Sequence, residues 1–176
     1  MTKEQNKTLE AVRISIQMEI DGRDYYLKTS QNSSSEMGQK LLKTLADEED
    51  LHRRIFERIY TGIQEKNNWP PITLNPDGCK SMRTIFAQAT DKMGSNVKTP
   101  LTELNAVQTA INMESKSCDF YENQGNIFNY DTARYFYKAL AAEEREHQLI
   151  LLDYYEFLKD SASWFFKKEH ASLDGS

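Results

Sequence analysis

The chain is poor in the features that mark secreted, membrane-spanning and nucleic-acid-binding proteins. It has only two cysteines, Cys79 and Cys118, without C-x-x-C spacing, which argues against a disulfide scaffold. Its apolar runs, such as Leu149 to Leu152, are far too short to cross a bilayer, and the N-terminus shows no apolar core of a secretory signal. A formal net charge of -5 without a basic stripe argues against a nucleic-acid partner. We therefore expect a cytoplasmic protein that binds neither membrane nor nucleic acid.

A small set of acidic and histidine residues recurs at a fixed distance. The recurring residues are Glu19, Glu49 and His52, which return 95 residues later as Glu114, Glu144 and His147. The same offset aligns apolar and tyrosine positions without a gap, so the repeat runs from about residue 9 to 60 and from 104 to 155. Two copies of one supersecondary unit make up most of the chain.

Apolar residues return at three-to-four spacing, which predicts helices nearly throughout. The predicted helices cover about 3–31, 37–61, 100–125 and 130–158. Ser33 to Glu36 has the spacing of a capping box before the second helix, and Thr99 with Pro100 predicts the start of the third. Gly62 should end the second helix, and Gly125 the third. Four long helices in two hairpins predict an all-α four-helix bundle.

The stretch between the two hairpins is rich in helix breakers and then carries the apolar pattern Met82 to Met93. We expect a long crossover with a short helix, so that the third helix starts beside the start of the second. The halves would then be related by a pseudo-two-fold axis perpendicular to the helices.

This organisation divides the chain into a bundle at residues 1–160 and a C-terminal tail at 161–176. The tail residues Trp164, Phe165 and Phe166 lie outside the repeat and are expected to have no counterpart in it. Such a cluster should cover the end of the bundle or a neighbouring subunit.

The recurring glutamates should lie at one level of the bundle. Both glutamates of each hairpin lie 15 residues from the centre of its turn. At about 1.5 Å per residue, all four are therefore about 22 Å from a bundle end. Within each Glu-x-x-His the two side chains share a helix face. One such motif often arises by chance, but its duplication favours a site for two divalent iron or manganese ions.

Four segments carry a resemblance to a known family. They are Met18-Glu19 with Tyr25-Tyr26, Leu45 to His52, Met113-Glu114 with Phe120-Tyr121, and Leu140 to His147. With them the chain resembles the rubrerythrin branch of the ferritin-like superfamily. The resemblance implies that Glu19 and Glu114 are terminal metal ligands and that Glu49 and Glu144 bridge the two metals. It also implies that His52 and His147 each supply one nitrogen ligand to one metal.

The resemblance also implies a cofactor and an activity. The cofactor would be two iron ions, with manganese as the alternative, and the activity would be reduction of hydrogen peroxide or dioxygen at a non-haem diiron centre. A ferroxidase-like iron-storage protein and a dimanganese catalase stay open as alternatives. Electrons would come from an external donor such as a separate rubredoxin, because the chain carries no rubredoxin-type cysteines. A homodimer or larger homo-oligomer is expected by fold analogy.

One position departs from the family pattern, which usually adds a carboxylate three residues after the ligand on the third helix. Ser117 stands there in this chain.

Several residues near the ligand positions leave alternatives open. Tyr26 and Tyr121 follow Glu19 and Glu114 by seven residues and either donate phenolic hydrogen bonds to the ligand carboxylates or pack in the core. Cys118 is expected as a buried small residue rather than a ligand. Glu48 and Glu143 are expected either to be solvated or to support the ligands. His170 is expected either to lie at the surface or to pack against neighbouring residues.

Overall fold

The computed structural model describes residues 3–66, 68–72, 74, 77–129 and 131–173, without the side chains of 77–79 and 170–173. Within these residues the structure is all-helical, which confirms the predicted fold class. Its six helices are α1 (Lys3–Asn32), α2 (Glu36–Lys66), α3 (Asp77–Met93), α4 (Leu101–Ile127), α5 (Asp131–Lys159) and α6 (Ser161–Leu173). None of the described helices is both long enough and apolar enough to cross a membrane.

The four long helices form a ferritin-like bundle of two antiparallel hairpins, α1 with α2 and α4 with α5. At one end, Glu103 in the first turn of α4 accepts hydrogen bonds of 2.5 Å from the hydroxyls of Ser33 and Ser34, between α1 and α2. At the other end, Asn129 donates to Glu4 at the start of α1 over 3.2 Å. Helix α4 therefore starts beside the start of α2 and runs antiparallel to α1, as the crossover prediction requires.

The crossover carries α3, which packs against α2 and α5. Its buried residues Met82 and Phe86 face the core. The segment predicted as a tail forms α6, whose Trp164 is buried with its ring centroid 5.5 Å from Phe86 and 5.4 Å from Phe157. Trp164 therefore covers the end of its own bundle, whereas Phe166 remains exposed.

Two predicted caps are wrong by one or two residues. The first backbone hydrogen bonds of α4 run to the carbonyl of Pro100, so Pro100 and not Thr99 is the cap. At α2, Ser35 rather than Ser33 caps the helix, because its hydroxyl accepts a 3.0 Å hydrogen bond from the amide of Gly38. The Ser33 hydroxyl binds Glu103 instead. The contact with Glu103 on another helix thus engages the Ser33 hydroxyl, and the Ser35 hydroxyl caps α2.

Two glycines do not end their helices as predicted. Helix α2 continues through Gly62 to Lys66, and α4 continues through Gly125 to Ile127. A glycine inside a helix costs only about 1 kcal/mol relative to alanine, which tertiary packing readily offsets.

Apolar residues form two buried clusters that correspond to each other across the repeat. The first, here called the Tyr26 core, includes Tyr26, Leu42, Leu151 and Trp164. The second, the Tyr121 core, includes Tyr121, Tyr137 and Phe56, with Trp69 packed against it. These two sets pair at the 95-residue offset, and Trp164 itself stands 95 residues after Trp69. The expectation that Trp164 has no counterpart is therefore wrong, since the repeat extends beyond residues 60 and 155.

Candidate metal centre

The six side chains predicted as ligands come together in one buried cluster between the two cores. Helices α1 and α4 contribute one glutamate each, and α2 and α5 contribute one Glu-x-x-His each. Their side chains form two groups, in each of which one potential ligand atom per residue lies within 4.8 Å of all the others. The groups are Glu19, Glu49, His52 and Glu144, and Glu49, Glu114, Glu144 and His147. Glu49 and Glu144 belong to both groups, as two neighbouring cations with shared carboxylates would require.

Both histidines turn Nδ1 toward the middle of the cluster. His52 Nδ1 lies 3.1 Å from Glu144 Oε1 and 3.5 Å from Glu19 Oε2. His147 Nδ1 lies 3.2 Å from Glu144 Oε2 and 3.6 Å from Glu49 Oε1. The two imidazole rings are stacked with centroids 5.9 Å apart. Each histidine can therefore supply one nitrogen to its own group.

Four buried atoms in this cluster have no hydrogen-bond partner. They are Glu19 Oε2, Glu49 Oε1, His52 Nδ1 and Glu144 Oε1. Burying polar and charged atoms without partners is costly, and a bound cation would provide the missing interaction. Carboxylate oxygens and imidazole nitrogens suit iron and manganese. The residues present therefore fit a pair of such metal ions.

Two buried tyrosines connect the hairpins through the predicted ligands. Tyr26 donates its phenolic hydrogen bond to Glu114, and Tyr121 donates to Glu19. Each tyrosine thus binds the glutamate of the other repeat, because seven residues place the glutamate of its own helix about 10 Å away along the axis. Of the two alternatives for these tyrosines, the structure shows the hydrogen bond to a carboxylate.

Glu143 orients His52 from outside the cluster. Its Oε2 lies 3.0 Å from His52 Nε2. When that nitrogen carries the proton and donates it, Nδ1 is left with a lone pair directed into the cluster. Of the alternatives predicted for Glu143, the structure therefore favours support of a ligand over full solvation.

Gly22 is a site residue that the sequence analysis missed. It follows Glu19 by one turn of α1, and a Cβ atom at this position would lie only 2.9 Å from Glu49 Oε2. The absence of a side chain lets the shared carboxylate lie directly against the helix. A glycine inside an otherwise helical pattern was the available signal, since it often marks a close approach.

The remaining candidates lie outside the two ligand groups found in the described residues. Ser117, the repeat counterpart of Gly22, is half-buried. Cys118 is buried, its thiol lies 3.6 Å from the Ala141 carbonyl, and burial raises its pKa to about 12. It is a buried small residue, as predicted. Glu48 is half-buried, and the side chain of His170 lies outside the described residues.

The clustered charges shift the ionisation of the glutamates in opposite directions. Burial, reinforced by the charge of Glu144, raises the pKa values of Glu49 and Glu114 well above the usual range. Burial would also raise the pKa of Glu144, but the adjacent imidazoles of His147 and His52 outweigh it and hold that pKa well below the usual range. For His52, burial alone would lower the pKa, but the adjacent carboxylates of Glu143 and Glu144 raise it. The metal-free cluster therefore retains protons that cations would have to displace.

Comparison with known families agrees with this geometry. Residues 10–76 match the family model described as Rubrerythrin, a ferritin-like diiron family, which confirms the resemblance over that segment. The matched segment contains most of α1 and all of α2, and therefore Glu19, Glu49 and His52. No rubredoxin domain is indicated. No curated protein and no solved structure matches the chain.

Proposed function

We propose that the protein is a rubrerythrin-type diiron oxidoreductase that reduces hydrogen peroxide or dioxygen with electrons from a separate donor protein. The observation that carries the proposal is the pair of overlapping ligand groups that share Glu49 and Glu144 and contain four unpartnered buried atoms. The family match over residues 10–76 supports the same chemistry.

The ligand roles follow from membership of the two groups. Glu49 and Glu144 would bridge the metals because they belong to both groups. Each metal would then hold one terminal glutamate and one histidine, which are Glu19 with His52 and Glu114 with His147. Two bound ferrous ions would supply Lewis acidity and electrons for reduction of the oxidant.

The side chains around the cluster hold this arrangement in place. Tyr26 and Tyr121 each fix one oxygen of a terminal carboxylate, and at Glu19 the other oxygen, Oε2, lies 3.5 Å from His52 Nδ1. Glu143 holds the ring of His52 through Nε2. The side chains of the six ligands are buried, and the exclusion of water that follows strengthens electrostatic interactions within the site.

The electron donor and the assembly state are part of the proposal. Two cysteines cannot form the four-cysteine iron site of a rubredoxin, so a separate rubredoxin or similar protein would supply electrons. By fold analogy, the protein would act as a homodimer or larger homo-oligomer.

Metal binding is the first test. Anaerobic titration with ferrous iron should show two ions per chain, and the double variant Glu49→Ala/Glu144→Ala should bind neither, because it removes both shared carboxylates. Asp47→Asn is a suitable control, since Asp47 is exposed on the same helix two residues from Glu49. Two tightly bound ions in the double variant would contradict the six-ligand site.

Reactivity is the second test. Rapid mixing of the ferrous protein with peroxide and, separately, with dioxygen should show faster oxidation by peroxide and slow turnover until an external reductant is added. Preference for dioxygen with many ferric ions accumulating per chain would instead indicate storage. Activity restricted to the manganese form, with oxygen released from peroxide, would indicate a catalase.

A further inference from the structure

A line of aromatic rings runs from one side of the metal cluster to a partly exposed tryptophan. It begins at Tyr121, whose hydroxyl donates to Glu19. The Tyr121 ring centroid lies 5.9 Å from that of Tyr137, which lies 6.0 Å from that of Trp69. Trp69 follows α2 and is half-buried. Aromatic rings therefore bridge the distance between a predicted metal ligand and the protein surface.

Packing alone does not require an aromatic residue in the middle of this line. At the 95-residue offset, Tyr137 corresponds to Leu42, a fully buried residue of the Tyr26 core. That core also ends at a tryptophan, Trp164, but no ring contact in the described part of the chain joins it to Tyr26, whose ring contacts that of Tyr25. The fold thus accepts leucine at this position, and among the described residues the continuous line occurs in one half of the duplicated chain.

We propose that Tyr121, Tyr137 and Trp69 form a path along which single electrons travel from the protein surface to the metal cluster. The path rests on the proposed function for its oxidant, which is hydrogen peroxide reacting at that cluster. It gives the chain a route for the electrons that an external donor supplies.

The hydrogen bonds assign a different role to each ring. Tyr121 can lose an electron because Glu19, which accepts its hydrogen bond, can take the phenolic proton. Tyr137 lies 3.4 Å from the hydroxyl of Ser15, whose own proton is donated to the Ala11 carbonyl. A serine hydroxyl is a poor base, so Tyr137 keeps its proton and its ring serves as a bridge. The Trp69 indole can lose an electron without first losing a proton.

Each transfer along the path moves one electron from Trp69 toward the metal cluster. Tyr121 gives one electron to the oxidised cluster while its proton moves to Glu19. Trp69 then gives one electron through the Tyr137 ring to Tyr121, and the proton returns from Glu19. A separate one-electron donor such as a reduced rubredoxin returns one electron to the Trp69 radical cation. Two such transfers convert one hydrogen peroxide and two protons into two waters, while two donor molecules each lose one electron.

The path can be tested without metal. Pulse radiolysis with the azide radical oxidises tryptophan, and the Trp164→Phe variant retains only Trp69. In that variant, tryptophanyl absorbance should decay as tyrosyl absorbance grows, at a rate independent of protein concentration. Trp69→Phe is the matched control, since the retained Trp164 occupies the counterpart position, and it should lose this phase. Persistence of the phase in Trp69→Phe would overturn the proposal.

Two substitutions at residue 137 separate the ring from the hydroxyl, in the Trp164→Phe background. Tyr137→Leu, which introduces the counterpart residue, should slow the fast phase, because the rings that still join Trp69 to Tyr121, Phe136 and Phe56, form a line with one more step. Tyr137→Phe should keep its rate. Tyr121→Phe should remove the tyrosyl product. Circular dichroism would establish that each variant is folded. An unchanged fast phase in Tyr137→Leu, or an unchanged tyrosyl product in Tyr121→Phe, would overturn the assigned path.

The iron-loaded protein provides an independent readout. After mixing with peroxide and no reductant, freeze-quench electron paramagnetic resonance should detect a tyrosyl radical in the wild type that is absent in Tyr121→Phe. Peptide mass spectrometry should find oxidation at Trp69 but not at Trp164. Failure to bind iron or to react with peroxide would refute the proposed function, whereas the metal-free kinetics would still decide whether the path exists.

Discussion

Gly22 allows the carboxylate shared by both ligand groups to lie against α1, and Gly22→Ala would close that space. The new Cβ atom would lie 2.9 Å from Glu49 Oε2 and 3.3 Å from Glu49 Cδ. Ordinary van der Waals contact begins at 3.4 Å, so the carboxylate must move away from the helix. Because Glu49 belongs to both ligand groups, both metal ions should be affected.

The substitution should change metal affinity and metal-free stability in opposite directions. Disturbing residues that orient ligands typically lowers metal affinity by about 10–100-fold, or about 1.4–2.7 kcal/mol. We expect a loss in this range. In the metal-free protein, alanine inside a helix is more stable than glycine by about 0.5–1 kcal/mol. Displacing the end of a flexible side chain should offset only part of that gain, so the melting temperature should stay constant or rise by a few degrees, at about 2–4 °C per kcal/mol.

Chelator competition for ferrous iron under anaerobic conditions would measure the affinity, and thermal unfolding of the metal-free protein would measure the stability. Ser117→Ala is the matched control, because this counterpart position already holds a Cβ atom and loses only a hydroxyl. It should bind iron like the wild type. Equal affinity in Gly22→Ala and the wild type would refute the inference that the space beside α1 positions Glu49.

Two further predictions concern buried ionisable groups. In the metal-free protein the raised pKa values of Glu49 and Glu114 mean that the folded state keeps protons which the unfolded state, with a pKa of 4.5, has released. Stability should therefore fall as pH rises above 4.5, and the raised pKa of His52 should add to the fall above its usual 6.5. Melting temperatures across pH test this, and a metal-free protein that grows more stable over this range would contradict it. Glu103→Gln weakens a charged hydrogen-bond network and should cost about 1.5–3 kcal/mol in urea unfolding. Iron affinity should be unchanged, because residue 103 lies about 16 Å along α4 from Glu114, and a large loss of affinity would show coupling to the site.

The bundle was predictable from sequence because the repeat provides two independent observations of each helix pair. The shared level of the four glutamates also followed from their distances to the turns, and in the structure these side chains lie in one buried cluster. That they bind metal stays a prediction. Sequence periodicity sufficed because it depends only on helix geometry.

Local details were less predictable because distant residues determine them. The serines before α2 offered several possible caps, and the choice depended on Glu103, which is 70 residues away from Ser33. The tyrosine hydrogen bonds cross between α1 and α4, which spacing along a single helix cannot show. The contact of Gly22 with Glu49 likewise depends on the packing of α1 against α2.

The duplication also distinguishes what the site needs from what the fold accepts. Both halves keep the predicted ligands and the tyrosines that bind them, but Tyr137 corresponds to Leu42 and Gly22 to Ser117. At both of these positions the two halves carry different residues, so the same fold already accommodates the counterpart residue in its other half. Tyr137→Leu should therefore disturb packing less than a change to alanine, which in a core often costs about 3–5 kcal/mol for an aromatic residue. If Tyr137→Leu slows electron transfer from Trp69 while the melting temperature stays close to the wild type, the tyrosine ring serves transfer rather than packing. Suppose instead that Tyr137→Leu unfolds the protein and that the tyrosyl signal of Tyr137→Phe grows no faster than that of Trp69→Phe. The two cores would then differ in shape alone, and the ring line would have no redox role.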